Sequence, residues 1–238
     1  MIHFDKCSIG YDEVILHELE LFIGDNEVIT VLGPTGIGKS TFLRLIGGVD
    51  RTSSRPVVLA GTYEKKADMK IGIVFQTLDQ LFPWKNAIDN VVFPCLAKTK
   101  NIKDPGLIKR SKTLLSEVGL RDHMYKYPMH MSGGMRQRVA IARAMMSTPD
   151  LLLMDEPFSS LDAITREKLQ DLLLTIQAKH QMTIVFITHD IDEAIKLSNR
   201  ILLIDGYGRS QVIRCNDNDD KMSLKENIKK ALKKVSDS

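Results

Sequence analysis

Gly33-Pro34-Thr35-Gly36-Ile37-Gly38-Lys39-Ser40 stands directly after the apolar run Val28–Leu32 and before the helix-like segment Thr41–Ile46. The octapeptide is a full match to G-x-x-x-x-G-K-[ST], and a strand before it and a helix after it are the context in which that pattern holds phosphate. Its glycines let successive backbone N–H groups turn inward around phosphate oxygens, and the helix N-terminus adds its dipole. Lys39 then neutralises the outer phosphates, and the Ser40 hydroxyl can ligate Mg²⁺. A glycine-rich turn without phosphate is the plainer reading, and the flanking elements argue against it. Gly33, Pro34, Thr35, Gly36, Ile37, Gly38, Lys39, Ser40 and Thr41 are therefore the candidate phosphate cradle.

Around this loop, short β-branched runs alternate with longer helix-like segments, which favours a mostly parallel sheet flanked by helices. The opening differs, because residues 2–8, 14–23 and 27–32 read as successive strands, so an antiparallel piece precedes the α/β core. Buried strands with almost no polar interruption follow at Ile71–Phe75, Leu151–Met154, Thr183–Thr188 and Arg200–Asp205. An inserted stretch reads as helical over Asn86–Leu96, Pro105–Val118 and Gly134–Met146, with breakers at Pro83, Pro94, Lys103-Asp104-Pro105-Gly106 and Tyr127-Pro128. The expected organisation is a catalytic core over residues 1–85 and 147–213, a helical subdomain over 86–146, and a tail over 214–238.

Composition narrows the function classes. A chain of 238 residues, 43% hydrophobic and 26% charged, can bury a substantial core. Its 33 basic residues face 30 acidic ones, a balance that gives no argument for a nucleic-acid partner. Cys7, Cys95 and Cys215 are far apart and in no metal-ligand pattern, so neither a disulfide nor a structural zinc is expected. Charged residues interrupt the N-terminus from Asp5 onward, which leaves no signal-peptide core. The longest apolar runs, such as Leu151–Met154, fall far short of the roughly 20 residues of a membrane helix. Any link to a membrane goes through a partner.

The second motif is Leu151-Leu152-Leu153-Met154-Asp155-Glu156, where an apolar strand delivers two carboxylates at its carboxyl end, the edge where open α/β sheets bind ligands. Asp155 suits a Mg²⁺-holding role, and Glu156 is placed to polarise an attacking water. Alone this is a weak signal, equally a plain strand end; beside the phosphate loop it points to a P-loop NTPase. Met131-Ser132-Gly133-Gly134-Met135-Arg136-Gln137-Arg138 then places a Ser and two glycines at the start of a helix, where first-turn N–H groups can face an anion. An ordinary serine N-cap would look the same.

That segment resembles the L-S-G-G-Q/M-x-Q-R signature of ABC ATPases, and matches to the family run from residue 2 to about 213. The resemblance implies an α/β fold with a RecA-like P-loop NTPase core, an N-terminal antiparallel β subdomain and an inserted α-helical signature subdomain. It implies that two copies pack head to tail, each ATP lying between the phosphate loop of one and Ser132, Gly133 and Gly134 of the other. It assigns Tyr11 to stacking on adenine, although a surface tyrosine in a turn is a bland alternative. Gln76 matches the glutamine that contacts Mg²⁺ and water, and Ser159-Ser160-Leu161-Asp162 matches the loop that crosses to the second subunit. His189, in Thr188-His189-Asp190, matches the histidine that hydrogen-bonds the γ-phosphate; a structural strand-end histidine is the alternative.

Phe75–Trp84, Met154–Phe158, Leu161–Glu167 and Thr188–Ala194 are similar to the nitrate, sulfonate, taurine and bicarbonate importers, systems with a binding protein outside the membrane. This resemblance implies an ATPase at the cytoplasmic face of the membrane, held there by a permease that contacts the region from Gln76 to Trp84. Leu81, Phe82 and Trp84 would suit the groove for a permease helix, or else pack in the core of the helical subdomain. An exporter cassette is the runner-up, and a soluble ABC ATPase of repair is disfavoured by the lack of heptads between the two motifs. Met131 replaces the usual Leu, and the stretches Thr52–Pro56 and Thr62–Lys70 lack the family's usual turn glycines. In the tail, Leu224, Ile228, Leu232 and Val235 lie opposite Lys225, Lys229, Lys230, Lys233 and Lys234, a stripe suited to docking on its own domain or to touching anionic lipid.

Overall fold

A computed structural model of the chain describes residues 1–49, 56–76, 80–96, 104–215 and 220–233. Residues 52–55, 77–79, 216–219, Lys234 and Val235, on which several of the expectations above fall, lie outside the described residues. The chain opens with β1 (Ile2–Gly10), β2 (Val14–Ile23), β3 (Val28–Leu32), α1 (Lys39–Gly47) and β4 (Val57–Lys65). It continues through β5 (Ile71–Val74), α2 (Ala87–Val92), α3 (Pro105–Glu117), α4 (Gly133–Met145), β6 (Leu151–Asp155) and α5 (Ala163–His180). It closes with β7 (Thr183–Thr188), α6 (Ile191–Leu197), β8 (Arg200–Ile204), β9 (Ser210–Arg214) and α7 (Lys221–Lys233). Two compact units result, Met1–Met69 with Thr183–Ser238, and Lys70–Met182.

In the first unit, β2, β1 and β4 form an antiparallel sheet in that order. Lys6 takes a positive φ of 46°, and the pairing registers of β1 shift between Phe4 and Cys7. Such a bulge bends the strand. Phe4 points inward from it and meets the rings of Phe42 of α1 at 5.3 Å and Tyr63 of β4 at 4.8 Å. Burial pushes the Tyr63 phenol up to about 12, with the nearby Cys7 thiol adding to the rise. The second sheet of this unit sets β3 between β7 and β8, all parallel, with β9 antiparallel beyond β8. Every residue of β3 and β7 is buried, as a strand covered on both faces requires. The one polar side chain in the middle of β3, Thr30, hydrogen-bonds Ser198.

The second unit pairs β5 with β6 in parallel and packs α2, α3 and α4 together. Asn86 caps α2 by accepting from the Asp89 N–H, and its neighbour Asn90, fully buried, satisfies its amide on the Phe82, Lys85 and Asn86 carbonyls. The expected helix over Asn86–Leu96 breaks after Val92 into a 3₁₀ turn over Phe93–Cys95, because Pro94 has no N–H to give to the helical ladder. Asp104 accepts from the N–H groups of Gly106 and Leu107 and starts α3. Strands β4 and β9 were not anticipated: both carry mostly exposed or half-buried side chains, so neither shows an apolar alternation. β4 runs through Lys65, into the segment expected as a loop from Thr62 to Lys70.

The tail helix α7 starts at Asp220, whose carboxylate accepts from the N–H groups of Met222 and Ser223. Ile228 is fully buried against Leu32, Ala194, Ile201 and Leu203, with Leu224 and Leu232 packed beside it. The apolar stripe thus docks on its own unit, and burial of an isoleucine contributes about 1.5–3 kcal/mol. Lys225 is paired with Asp192 of α6 at 2.6 Å. Cys7 is buried and gives its thiol to the Thr62 carbonyl, while Cys95 and Cys215 are half-buried. No helix among the described residues is long and apolar enough to cross a membrane.

Candidate active site

The phosphate loop leaves β3 at its carboxyl end and enters α1. Gly38 sits at φ 100°, a conformation only glycine adopts at little cost, and a β-carbon there would lie 2.4 Å from Cγ2 of Ile15. With glycine as N-cap, α1 has no side-chain cap and no acidic residue in its first turn. Lys39 is 5% exposed, and its Nζ donates to the carbonyls of Gly33 at 2.8 Å and Pro34 at 2.7 Å. The ammonium is thereby held inside the curve of the loop. Pro34, Thr35 and Gly36 are exposed, Ile37 and Ser40 half-buried, and Thr41 buried.

Strand register places a second residue beside the loop. Leu32 pairs with Thr188 across the parallel strands β3 and β7, so Gly33 and His189 leave the same edge of the sheet. The corner carrying His189 is braced: the Thr188 hydroxyl donates to Glu193 at 2.7 Å and accepts from the Asp190 N–H at 3.0 Å. Asp190 in turn caps α6 by accepting from the N–H groups of Asp192 and Glu193. His189 itself is exposed. Tyr11, half-buried in the turn after β1, accepts a hydrogen bond of 3.4 Å at its hydroxyl from Nη1 of Arg44 on α1. Arg44 was not picked out from the sequence; its place about one turn after the loop was the available signal.

In the second unit the same device recurs. Val74 pairs with Met154, so Gln76 and the pair Asp155-Glu156 emerge at one edge of β5 and β6. Residues 151–154 are buried, whereas Asp155 and Glu156 are half-buried. Nε2 of Gln76 donates to Oε2 of Glu156 at 3.2 Å. Glu156 stands at φ 43°, a left-handed conformation that costs a non-glycine residue about 1–2 kcal/mol. Its carbonyl accepts from both the N–H and the hydroxyl of Ser159, which holds the turn.

Ser132 is the N-cap of α4 and accepts from the Met135 N–H at 3.3 Å. It is exposed, while Gly134 is buried, and a β-carbon at Gly134 would lie 2.4 Å from Cγ2 of Thr165. Asp162 caps α5 by accepting from the Thr165 N–H at 3.0 Å, and that hydrogen bond holds its carboxyl below the usual range. Of the apolar trio after Gln76, Leu81 is buried at 4%, Phe82 is half-buried, and Trp84 is 71% exposed. Phe82 bridges the rings of Trp84 at 5.6 Å and Phe93 at 4.3 Å. Trp84 therefore does not fill the core of the helical segment.

Residues 16–159 match the family model described as ABC transporter. The chain is 42% identical to an aliphatic sulfonates import ATP-binding protein of Burkholderia cenocepacia over 193 residues, 81% of this chain and 69% of the relative. It is 38% identical to an aliphatic sulfonates import ATP-binding protein of Rhodococcus jostii over 217 residues, 90% of this chain and 84% of the relative. It is also similar, with TM-score 0.72 and 29% identity, to a dimeric ATP-binding cassette in a post-hydrolysis state bound to ADP and Pi, covering 91% of this chain and 99% of that one.

Proposed function

The chain belongs to the ABC transporter family, and we propose that its site residues act on two ATP molecules shared between two copies of it. It is the ATP-binding subunit of an importer, an ATPase whose hydrolysis is coupled to transport. Residues Gly33 to Thr41 cradle the phosphates, Lys39 neutralises them, and Tyr11 stacks on the adenine. Ser132, Gly133, Gly134 and Asp162 serve the nucleotide held by the second copy. The functional division follows: motor core over 1–85 and 147–213, signature subdomain over 86–146, tail over 214–238. The observation that supports this most is the buried Lys39 ammonium inside a loop whose helix start has no cap of its own.

Ser40, Asp155 and Gln76 offer the hard oxygen donors that suit Mg²⁺, and the ion when bound neutralises charge on the phosphates. Glu156 accepts a proton from the attacking water, and Gln76, already hydrogen-bonded to it, orients that carboxylate. His189 donates to the γ-phosphate. Loss of the γ-phosphate then removes the group that both copies hold.

The membrane permease docks at the region from Gln76 to Trp84, where exposed Trp84 stacks through Phe82 to Phe93. The subunit thereby sits at the cytoplasmic face of the membrane, and an extracytoplasmic binding protein delivers solute to that permease. The solute is a small anion, an aliphatic sulfonate on the strength of the relatives' names. Replacement of Glu156→Gln tests the reading: we expect turnover to fall about a thousandfold while Mg-ATP is still bound and the chain sediments as a dimer. Unchanged turnover removes Glu156 from the base role. Uptake of alkanesulfonates in cells lacking the protein reads the solute separately.

A further inference from the structure

A recess of about 430 Å³ opens in the first unit between the β8–β9 turn and α7. That volume lies within the range of small-molecule sites, about 300–1,000 Å³. Its lining is divided in character. Leu203 and Ala231 give it an apolar side, and Arg209 and Lys230 give it two cations, with Ser210 and Asn227 as neutral hydrogen-bonding groups. Among the described lining residues the one carboxylate, Asp205, is turned to the turn itself: Oδ1 accepts from the N–H groups of Tyr207 and Arg209, and Oδ2 accepts from Arg209 Nε at 2.8 Å. Arg209 also lies over the Tyr207 ring at 5.1 Å, so its guanidinium is held on the wall of the recess. With Asp205 matched by Arg209, the described lining residues carry a net positive charge through Lys230.

The wall of the recess is joined to the phosphate loop within the same unit. The Gly208 carbonyl, inside the turn, accepts from the His17 N–H of β2 at 2.8 Å. Two residues earlier on β2, Ile15 packs directly against Gly38, the N-cap of α1. A shift of the Asp205–Arg209 turn thus reaches the loop through one hydrogen bond and one strand.

We propose that this recess binds a small amphiphilic organic anion, a carboxylate or sulfonate on a short alkyl chain, and that its occupancy changes nucleotide affinity through β2. The anionic head meets Lys230 and Arg209 and the alkyl part lies against Leu203 and Ala231, which neither an inorganic anion nor a neutral alcohol reproduces.

Calorimetric titration of the full nucleotide-free chain with sodium 1-butanesulfonate, sodium sulfate and butan-1-ol reads this directly, and its failure leaves the ATP reading untouched. The expected result is saturable one-to-one binding of 1-butanesulfonate, at least about tenfold tighter than either comparison compound. Lys230→Glu, on the lining, is expected to weaken it about tenfold or more, whereas Lys229→Glu, exposed on the same helix with the same change in charge, moves it less than about twofold. Saturating 1-butanesulfonate is also expected to shift the KM for ATP in the unmodified chain and not in Lys230→Glu. Absence of saturable binding, equal binding of sulfate, or equal loss in the two variants overturns the site; binding with an unchanged KM overturns the coupling.

Discussion

The starts of α1 and α4 both carry glycine, Gly38 as the cap of the first and Gly133 and Gly134 opening the second, and they differ in one respect. The start of α4 is closed by its own chain, because the Ser132 hydroxyl accepts from the Met135 N–H. The start of α1 follows Gly38, which has no side chain to offer. The first four N–H groups of any helix lack intrahelical partners and draw on caps, water or ligands. An uncapped start with a buried ammonium beside it suits a phosphate bound within one copy, whereas at α4 the serine satisfies one N–H and its hydroxyl proton can still be donated to an anion brought by another molecule. On the proposed function, nucleotide affinity would reside with α1, and α4 would matter when a second copy presents its triphosphate.

The comparison breaks most sharply at Lys39. Lys39→Ala is expected to weaken ATP binding about a hundredfold or more and to abolish turnover, measured by titration calorimetry and phosphate release; near-normal affinity would show that α1 does not carry the binding. Ser132→Ala is expected to lower turnover of the dimer about tenfold while leaving ATP affinity of the isolated copy within about twofold. Its loss of the cap also costs about 1 kcal/mol in helix stability, so a melt accompanies the assay. A larger loss of monomer affinity than of turnover would reverse the roles of the two helices.

Arg44→Ala sharpens the α1 side. Removal of the donor to Tyr11 is expected to raise the KM for ATP a few-fold, about 1 kcal/mol for one hydrogen bond, with kcat unchanged. A fall in kcat at constant KM would place Arg44 elsewhere in the reaction. The smallest effect belongs to Glu117 in the second unit, which is bonded to Lys179 and His180 at 2.8 Å each. Partial burial alone would raise its carboxyl, but the hydrogen bonds from Lys179 and His180 outweigh that and hold it below its ordinary 4.5. Because the folded value is the lower one, the stabilisation is present above the ordinary range and is lost as pH falls through the depressed one. Glu117→Gln is therefore expected to cost less than about 1 kcal/mol at neutral pH and nothing in strong acid, read from urea melts at several pH values.

The strands that carry the site were legible because their burial is written in the residues. Val28–Leu32 and Thr183–Thr188 are buried at every position, and an uninterrupted apolar or β-branched run is what a two-sided strand demands. The loop Gly33–Ser40 was legible as a motif because the spacing of its glycines, Lys39 and Ser40 requires a strand before it and a helix after it, which β3 and α1 provide. Strands β4 and β9 were not, since their side chains meet solvent and their places are set by pairing with β1 and β8 rather than by pattern. Helix α5 went unremarked for a related reason: in its 18 residues only Leu169, Gln170, Leu173 and Ile176 are buried, a thin stripe among charges. The Gln76–Glu156 hydrogen bond joins residues 80 apart and follows from the register Val74 to Met154, which one strand alone does not reveal. Resemblance to the family supplied the proposed roles of Tyr11, Gln76 and His189; the residue types at those places were common enough to be structural.

In the proposed dimer a triphosphate held at α1 of one copy is met by the start of α4 of another. Two populations carrying Glu156→Gln, one with Thr35→Cys and the other with Ser132→Cys, are mixed and oxidised with and without Mg-ATP, and covalent dimers are counted on a non-reducing gel. A covalent dimer that needs both populations and Mg-ATP is expected; a dimer yield unaffected by nucleotide, or none in the mixture, would rule out the shared site.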